Sequence, residues 1–462
     1  MRKTSLFKGL IMLLLIASLI TYLSPSSFVL SSGLPSDIKL IVNGDVISTD
    51  VPPQIVKDRT LVPIRFVAEA LGSYVEWNDA KRVVLIDSYA IEADSLDDSD
   101  SIRIYVSNEE IKSEVPPQII NNRVMVPVRF IAEALGAKVE WDGNNRIVSI
   151  TYDNPNKPVG WASVSGEGLD GTTGGGNAKP QKVTTLEEFE KLAGDDVPRV
   201  IVISGTITTG SYAVDVGSNK TIIGENKDAT IHGGINMKNV SNVIVRNINF
   251  HGFWPDPGPD YTIAARNSHH LWFDHLNVWN AGDGEMDLTL GSDYITVSWC
   301  KFWYTDPSHG HRLCSLLSSG ADHDDTDMGK LRATYHHNWF ADNVKERMPR
   351  LLYGKGHFYN NYYTCYGNSY CIGVGVYAAA LIENNYFQNV KNPHQFMYPD
   401  RRPANITATG NMYVNTTGSM DTGACTPEGY EEVEPFTDPP YEYKLDDAED
   451  VPKLVQKYAG PQ

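Results

Sequence analysis

The chain has 462 residues, 41% hydrophobic and 21% charged, enough apolar material for a packed core and too long for one average domain. Its 57 acidic and 39 basic residues leave a formal net charge of −18, which argues against nucleic acid as a partner. The same mean field repels a polyanionic substrate unless local bases or a divalent cation intervene.

In chain order, Arg2, Lys3 and Lys8 precede an apolar run from Leu10 to Leu23, with small polar residues after it. This pattern predicts a signal peptide over residues 1–32 and hence secretion. Residues 36–152 then carry an internal duplication. "DVPPQIVKDRTLVPIRFVAEALGSYVEW" starts at Asp50 and "EVPPQIINNRVMVPVRFIAEALGAKVEW" at Glu114, a period of 64 that matches Trp77 to Trp141. Each copy predicts a Pro-bounded strand, a short amphipathic helix with Pro before it and Gly after it, and a closing strand. The segment resembles the small α+β stalk-type domain of secreted bacterial proteins that is named after the N-terminal domain of copper amine oxidases. It holds no His or Cys cluster for copper. The expectation is a spacer or a module for association with the cell surface or wall.

Residues 153–180 are expected to be a linker and a Gly-rich lead-in. Gly174 to Gly176 lack the Lys-Ser/Thr of a nucleotide loop, so a turn-rich path is predicted instead. A helix is expected over 185–192, with Thr184 and Glu187 at capping spacing.

From about residue 200, short runs rich in β-branched and aromatic residues recur, among them "NVIVRNINF", "YITVSWCKF" and "RATYHHNWF". Their closing residues Phe250, Val278, Phe302, Phe340, Tyr363 and Phe387 step by 28, 24, 38, 23 and 24. A step near 23 fits a three-sided coil of parallel strands, in which each coil buries its apolar residues on the next. The predicted class is therefore all-β, a parallel β-helix over 181–462. Asn338, Asn361, Asn385 and Asn411 recur near these positions and are expected to stack inside the coil, bonding their own turn and the next. The wide steps mark insertions at 251–270 and 303–330, where loops can build a site. His336 and His337 fall in one predicted strand, face opposite ways and are read as stacking residues. Asp274 and His275 are read as a structural pair. Of the five cysteines, Cys365 and Cys371 have the spacing to close a small loop, and Cys300 is expected in the core.

Three clusters carry chemistry. Asp283 and Asp287 flank Glu285, with Asp256 and Asp260 upstream, and such gathered carboxylates suit a hard cation of the Ca2+ type. His311 and Arg312 follow in the second insertion. Lys345, Arg347 and Arg350 then surround Pro349, and segment 330–355 carries six bases against two acids.

Residues 160 to about 420 resemble the polysaccharide lyase family 1 pectate lyases. The resemblance runs through "TTGGG" (172–176), "LWFDH" (271–275), "DGEMD" (283–287), "GSDYITVSW" (291–299), "TYHHNWF" (334–340), "ERMPR" (346–350) and "IENNYF" (382–387). It implies a right-handed parallel β-helix that cleaves polygalacturonate by β-elimination with Ca2+ and an arginine base. Asp283 and Asp287 match the paired calcium acids, and Arg347 matches the catalytic arginine. The family's third calcium acid falls at Tyr261, its substrate lysine at Leu313 and its second arginine at Leu352. Asp260, Arg312 and Arg350 are the expected stand-ins, with His311 also facing substrate. An arginine base implies alkaline activity, since free arginine ionises at roughly 12.5 or above. The resemblance leaves two alternatives, a pectin lyase on methylated substrate and a non-catalytic galacturonan-binding protein. A monomer is expected.

Overall fold

The computed structural model describes residues 38–152 and 157–462. The expected signal peptide, residues 1–32, lies outside the described residues, as do linker residues 153–156. Among the described residues no helix is long and apolar enough to cross a membrane.

Residues 38–152 fold around their own core, which includes Leu40, Val62, Val67, Ile104, Val126 and Ile131. The two copies follow one another element by element. Strands Arg59–Pro63 and Arg123–Pro127 lead into helices Ile64–Ala70 and Val128–Ala134. Each helix buries equivalent residues at helical spacing: Ile64, Val67 and Ala68 in one, Val128, Ile131 and Ala132 in the other. The two strands pair antiparallel with Val62 opposite Val126, Leu61 opposite Pro127 and Pro63 opposite Met125. Each copy thus meets its own counterpart across an approximate twofold axis. The outer sheets are exchanged between copies. Lys39–Val42 pairs parallel with Ile147–Thr151, and Val83–Ile86 pairs parallel with Arg103–Val106. The duplication forms one interlocked body.

The rest of the chain coils into three sheets of 11, 9 and 8 strands, parallel except for the last strand of the largest. The strand partners are those implied by the sequence steps: Phe250 pairs with Val278, then Phe302, Phe340, Tyr363 and Phe387 follow in register. Phe302, Phe340, Tyr363 and Phe387 stack in that order, with centroids 5.6, 4.8 and 4.4 Å apart. The asparagines form a continuous ladder. Nδ2 of Asn338 donates to Oδ1 of Asn361 at 2.9 Å, Asn361 to Asn385 at 3.0 Å, and Asn385 to Asn411 at 2.9 Å. Each amide oxygen also takes a backbone N–H from the neighbouring coil, as Cys300 N–H donates to Asn338 Oδ1 at 2.9 Å.

Several expectations are corrected. His336 and His337 do not face opposite ways, because His337 sits at a corner with φ of 55° and breaks the strand alternation. Their Nδ1 atoms lie 3.0 Å apart, while His336 stacks on Tyr359 and His337 on Trp299. Both therefore join the coil packing. The predicted helix is Leu186–Ala193, and its capping box is Thr185 with Glu188, one residue later than the pair read from sequence. Cys365 and Cys371 are free buried thiols. Cys365 Sγ lies 3.2 Å from Met348 Sδ, and Cys371 Sγ lies 3.3 Å from Asn368 Nδ2. Cys300 is in the core, and Asp274 Oδ2 accepts from His275 Nδ1 at 2.7 Å as a structural pair.

The Gly-rich lead-in runs across the outer face of the largest sheet. Trp161 N–H donates to Thr334 Oγ1 at 3.0 Å and Ala162 N–H to Thr296 Oγ1 at 3.1 Å. A side chain at Gly175 would bring its Cβ within 2.0 Å of the Arg199 carbonyl oxygen. The glycines there permit close backbone approach.

Candidate active site

The 8-stranded sheet brings the three clusters onto neighbouring coils. Strand Gly284–Thr289 carries Asp287, the next strand is Leu313–Leu317, and Arg350–Leu352 follows. The register sets Asp287 beside Leu316 and Leu316 beside Arg350. Parallel strands in register put such residues in one row on one face. Asp287 and Arg350 thus flank a single leucine.

Arg347 lies in the turn before its strand. The turn is pinned where the Arg347 carbonyl accepts the Ser315 N–H at 2.6 Å. Its side chain returns toward the sheet and sets Nη1 3.9 Å from Asp287 Oδ2, both side chains being largely buried. Polar atoms buried here without a hydrogen-bond partner within the chain include Asp287 Oδ1, Arg347 Nε and Arg350 Nε. Buried polar groups are normally paired, so this concentration marks a place prepared for an external group.

The electrostatics agree. Burial pushes the Asp287 carboxyl up to about 7, Arg347 opposes this, and the charge of Asp283 adds to it. The acid pair is short of positive charge. Glu285, between them in sequence, is fully buried, and burial pushes its carboxyl well up. It therefore adds little negative charge to the pair.

The remaining sequence-predicted residues have distinct positions. His311 Nδ1 lies 3.0 Å from Asp283 Oδ1, so it meets one of the expected metal acids. Arg312 spends two nitrogens on loop carbonyls, Nε on His309 and Nη1 on Asn343, each at 3.1 Å. It ties the loops around the site together. Asp260 is exposed, and its backbone carbonyl accepts the Asp283 N–H at 2.7 Å. Asp260 thereby lies next to Asp283 along the site, and its charge reaches Tyr261 together with those of Asp287 and Asp283. Leu352 is buried in the core, which leaves Arg350 as the strand's arginine on this face.

Two residues were not singled out from sequence as parts of the site. Tyr261 stands near the acids, its hydroxyl pushed up by burial and then by Asp287 and Asp283. Tyr370 faces the arginines, its hydroxyl pushed up to about 12 by burial against the pull of Arg350. The departure at position 261 was the available signal for the first; nothing in the motif pattern points to the second.

Among the described residues, no three His, Cys, Asp or Glu side chains gather closely enough to enclose a metal ion. The two carboxylates still suit a divalent cation that takes further ligands from substrate and water. Asp287 offers a buried oxygen without a partner in the chain, and a bound cation would bring its raised carboxyl down.

Residues 152–462 match the family model described as pectate lyase, and residues 41–150 match that of the copper amine oxidase N-terminal domain. A pectate trisaccharide-lyase of Thermotoga maritima is 35% identical over 336 residues, 66% of this chain and 88% of that protein. Another, from Thermotoga sp. strain RQ2, is 42% identical over 218 residues, 45% of this chain and 58% of that protein. The pectate lyase of Bacillus sp. N165, solved in complex with trigalacturonate, aligns with a TM-score of 0.54 at 26% identity. That alignment covers 66% of this chain and 98% of the other.

Proposed function

Because the chain belongs to the pectate lyase family and is a polysaccharide lyase, we propose that it cleaves polygalacturonate by Ca2+-assisted β-elimination with Arg347 as the base. The observation that carries this reading is the approach of Arg347 to Asp287, with Arg350 in the same row of the sheet.

The reaction removes the proton on C5 of a galacturonate. The C5–H electron pair becomes the C4–C5 double bond as the bond from C4 to the glycosidic oxygen breaks, and the departing oxygen takes a proton from water. That proton is weakly acidic, because its loss adds negative charge beside a carboxylate. Asp283 and Asp287 would hold Ca2+, which when bound offsets the charge on the uronate. Arg350 supplies a planar fork for a substrate carboxylate. Arg347 in its neutral form accepts the proton, which favours alkaline turnover. Arg312 holds the loop walls in place, and His311 fixes the orientation of Asp283 through their hydrogen bond. A methylated substrate would present no carboxylate to the arginines, so the calcium-dependent reading fits this residue set better than a pectin lyase.

The apolar run at residues 10–23 supports action outside the cell. The test is the ultraviolet absorbance of unsaturated product from polygalacturonate, with and without a chelator. Product formation that requires Ca2+ supports the reading. Activity indifferent to chelation, or greater on fully methylated pectin, overturns it.

A further inference from the structure

The duplicated N-terminal unit carries two cavities that the lyase reaction does not use. One, of about 290 Å3, is lined by Arg65, Val75 and Trp77 of the first copy and by Ile119 and Arg123 of the second. The other, of about 730 Å3, is lined by Arg129, Val139 and Trp141 of the second copy and by Ile55 and Arg59 of the first. These are the same positions shifted by 64. Every residue lining the first cavity except Asp79 has its counterpart lining the second. The twofold relation through Val62 and Val126 sets equivalent residues around both cavities, the second being the roomier.

Each cavity has the same chemistry. An indole and an isoleucine from different copies share an aliphatic floor; Trp141 is 42% exposed, Ile55 50% and Ile119 44%, while Trp77 is half-buried against the unit's core. Exposed groups of this kind inside a cavity are available to a ligand. The arginines at the rim are paired with acids in equivalent ways. Arg65 meets Glu69 at 3.1 Å and Arg129 meets Glu133 at 3.2 Å. Arg123 meets Asp50 at 2.5 Å and Arg59 meets Glu114 at 3.7 Å.

That pairing selects the ligand class. A guanidinium beside a carboxylate offers donors and acceptors side by side, which matches neighbouring hydroxyl groups. An anionic ligand would have to displace the resident acids. An apolar C–H face rimmed by hydroxyls describes a neutral sugar ring. We propose that the N-terminal unit is a bivalent glycan-binding module, with one pyranose site at Trp77 and a second at Trp141. This goes beyond the lyase reaction and does not rest on it. Two linked weak sites raise avidity by roughly 10²–10⁴ over one, so neither cavity needs high affinity alone.

The test uses the full chain carrying Arg347→Ala, so that retention is read without turnover. Sedimentation with microcrystalline cellulose, insoluble β-galactan or purified peptidoglycan measures binding. Retention on at least one is expected, reduced by Trp77→Ala or Trp141→Ala and lowered ~10-fold or more in the double variant. Arg65→Gln with Arg129→Gln repeats the test at exposed rim positions, with the same loss of retention expected. Lyase activity of the double Trp variant in an otherwise native chain should stay unchanged. Retention on cellulose or galactan identifies a plant-wall glycan, and retention on peptidoglycan a bacterial wall; either supports the proposal. It is overturned by retention on none of the three or by full retention in the double variant. Trp-dependent binding confined to polygalacturonate overturns the neutral-sugar assignment. A dimer in solution that the Trp changes dissociate would instead assign the cavities to a second copy of the chain.

Discussion

Nη1 of Arg347 stands 3.9 Å from Oδ2 of Asp287, and each residue keeps a buried polar atom with no hydrogen-bond partner in the chain. An arginine and an aspartate this close would ordinarily complete their bonds with each other. Their incomplete pairing leaves room for a third party between an acid that holds a cation and a base that takes a proton.

Arg347→Ala should lower kcat by about 10²–10⁴. Polygalacturonate affinity, read by affinity electrophoresis, should change only a few-fold. Substantial remaining turnover would remove Arg347 from the base role. Arg350→Ala should instead raise KM, because it removes a carboxylate contact made before the transition state.

Asp287→Asn should abolish Ca2+-dependent activity yet stabilise the metal-free protein at pH 8. The folded-state value of Asp287 is raised to about 7. Its contribution is favourable at low pH, where the carboxyl is protonated, and is lost as pH rises through about 7. Asparagine removes that buried charge. A gain on the order of 1–4 kcal/mol in urea unfolding at pH 8, shrinking toward pH 5, is the expected result. A destabilised variant at pH 8 would show that the pairing with Arg347 outweighs burial.

Acid should weaken the β-helix through its histidines. Burial holds His270, His336, His337, His357 and His394 below their ordinary value, so they remain neutral in the fold. The unfolded chain binds protons that the folded chain refuses as pH falls below about 6.5. Stability from this source is full above that value and declines beneath it. At the alkaline end, buried Tyr304, Tyr359 and Tyr363 resist ionisation, their hydroxyls pushed well up by burial. Stability therefore falls above about pH 10, where unfolded tyrosines ionise. Urea midpoints of the Asp287→Asn variant, which lacks the carboxyl that titrates at about 7, should form a plateau between those limits across pH 5 to 11; a maximum near pH 5 would contradict it.

Asn361→Leu should destabilise the coil by about 2–4 kcal/mol. Its side chain accepts from the Asn338 N–H and Nδ2 and donates to Asn385 Oδ1 and the Tyr335 carbonyl. Leucine leaves these groups buried without partners, and each such group costs about 1–3 kcal/mol. A change below about 0.5 kcal/mol in equilibrium unfolding would show that the ladder relaxes around the gap.

The coil was legible in sequence because one physical constraint repeats along it. The residues ending each run must lie over one another, so their spacing preserves the register from Phe250 to Phe387. The amide ladder was legible for the same reason. What resisted reading is set by corners and loops. A positive φ at His337 overrides strand alternation, and no periodicity announces it. Asp283, Asp287, Arg347 and Arg350 stood out by type and motif, but the position of Asp260 depended on which way its loop turned. Tyr370 arrives from a further coil, so no local pattern connects it with Arg350.

The first strand of the N-terminal unit, Lys39–Val42, runs parallel to its last, Ile147–Thr151, through four paired positions. A pull applied through the unit's two ends would load these strands in opposite directions along their length. All four pairs would then resist together, as in a lap joint, instead of opening singly like a zip. Such a coupling is suited to an enzyme held against flow or dragged along a solid polymer.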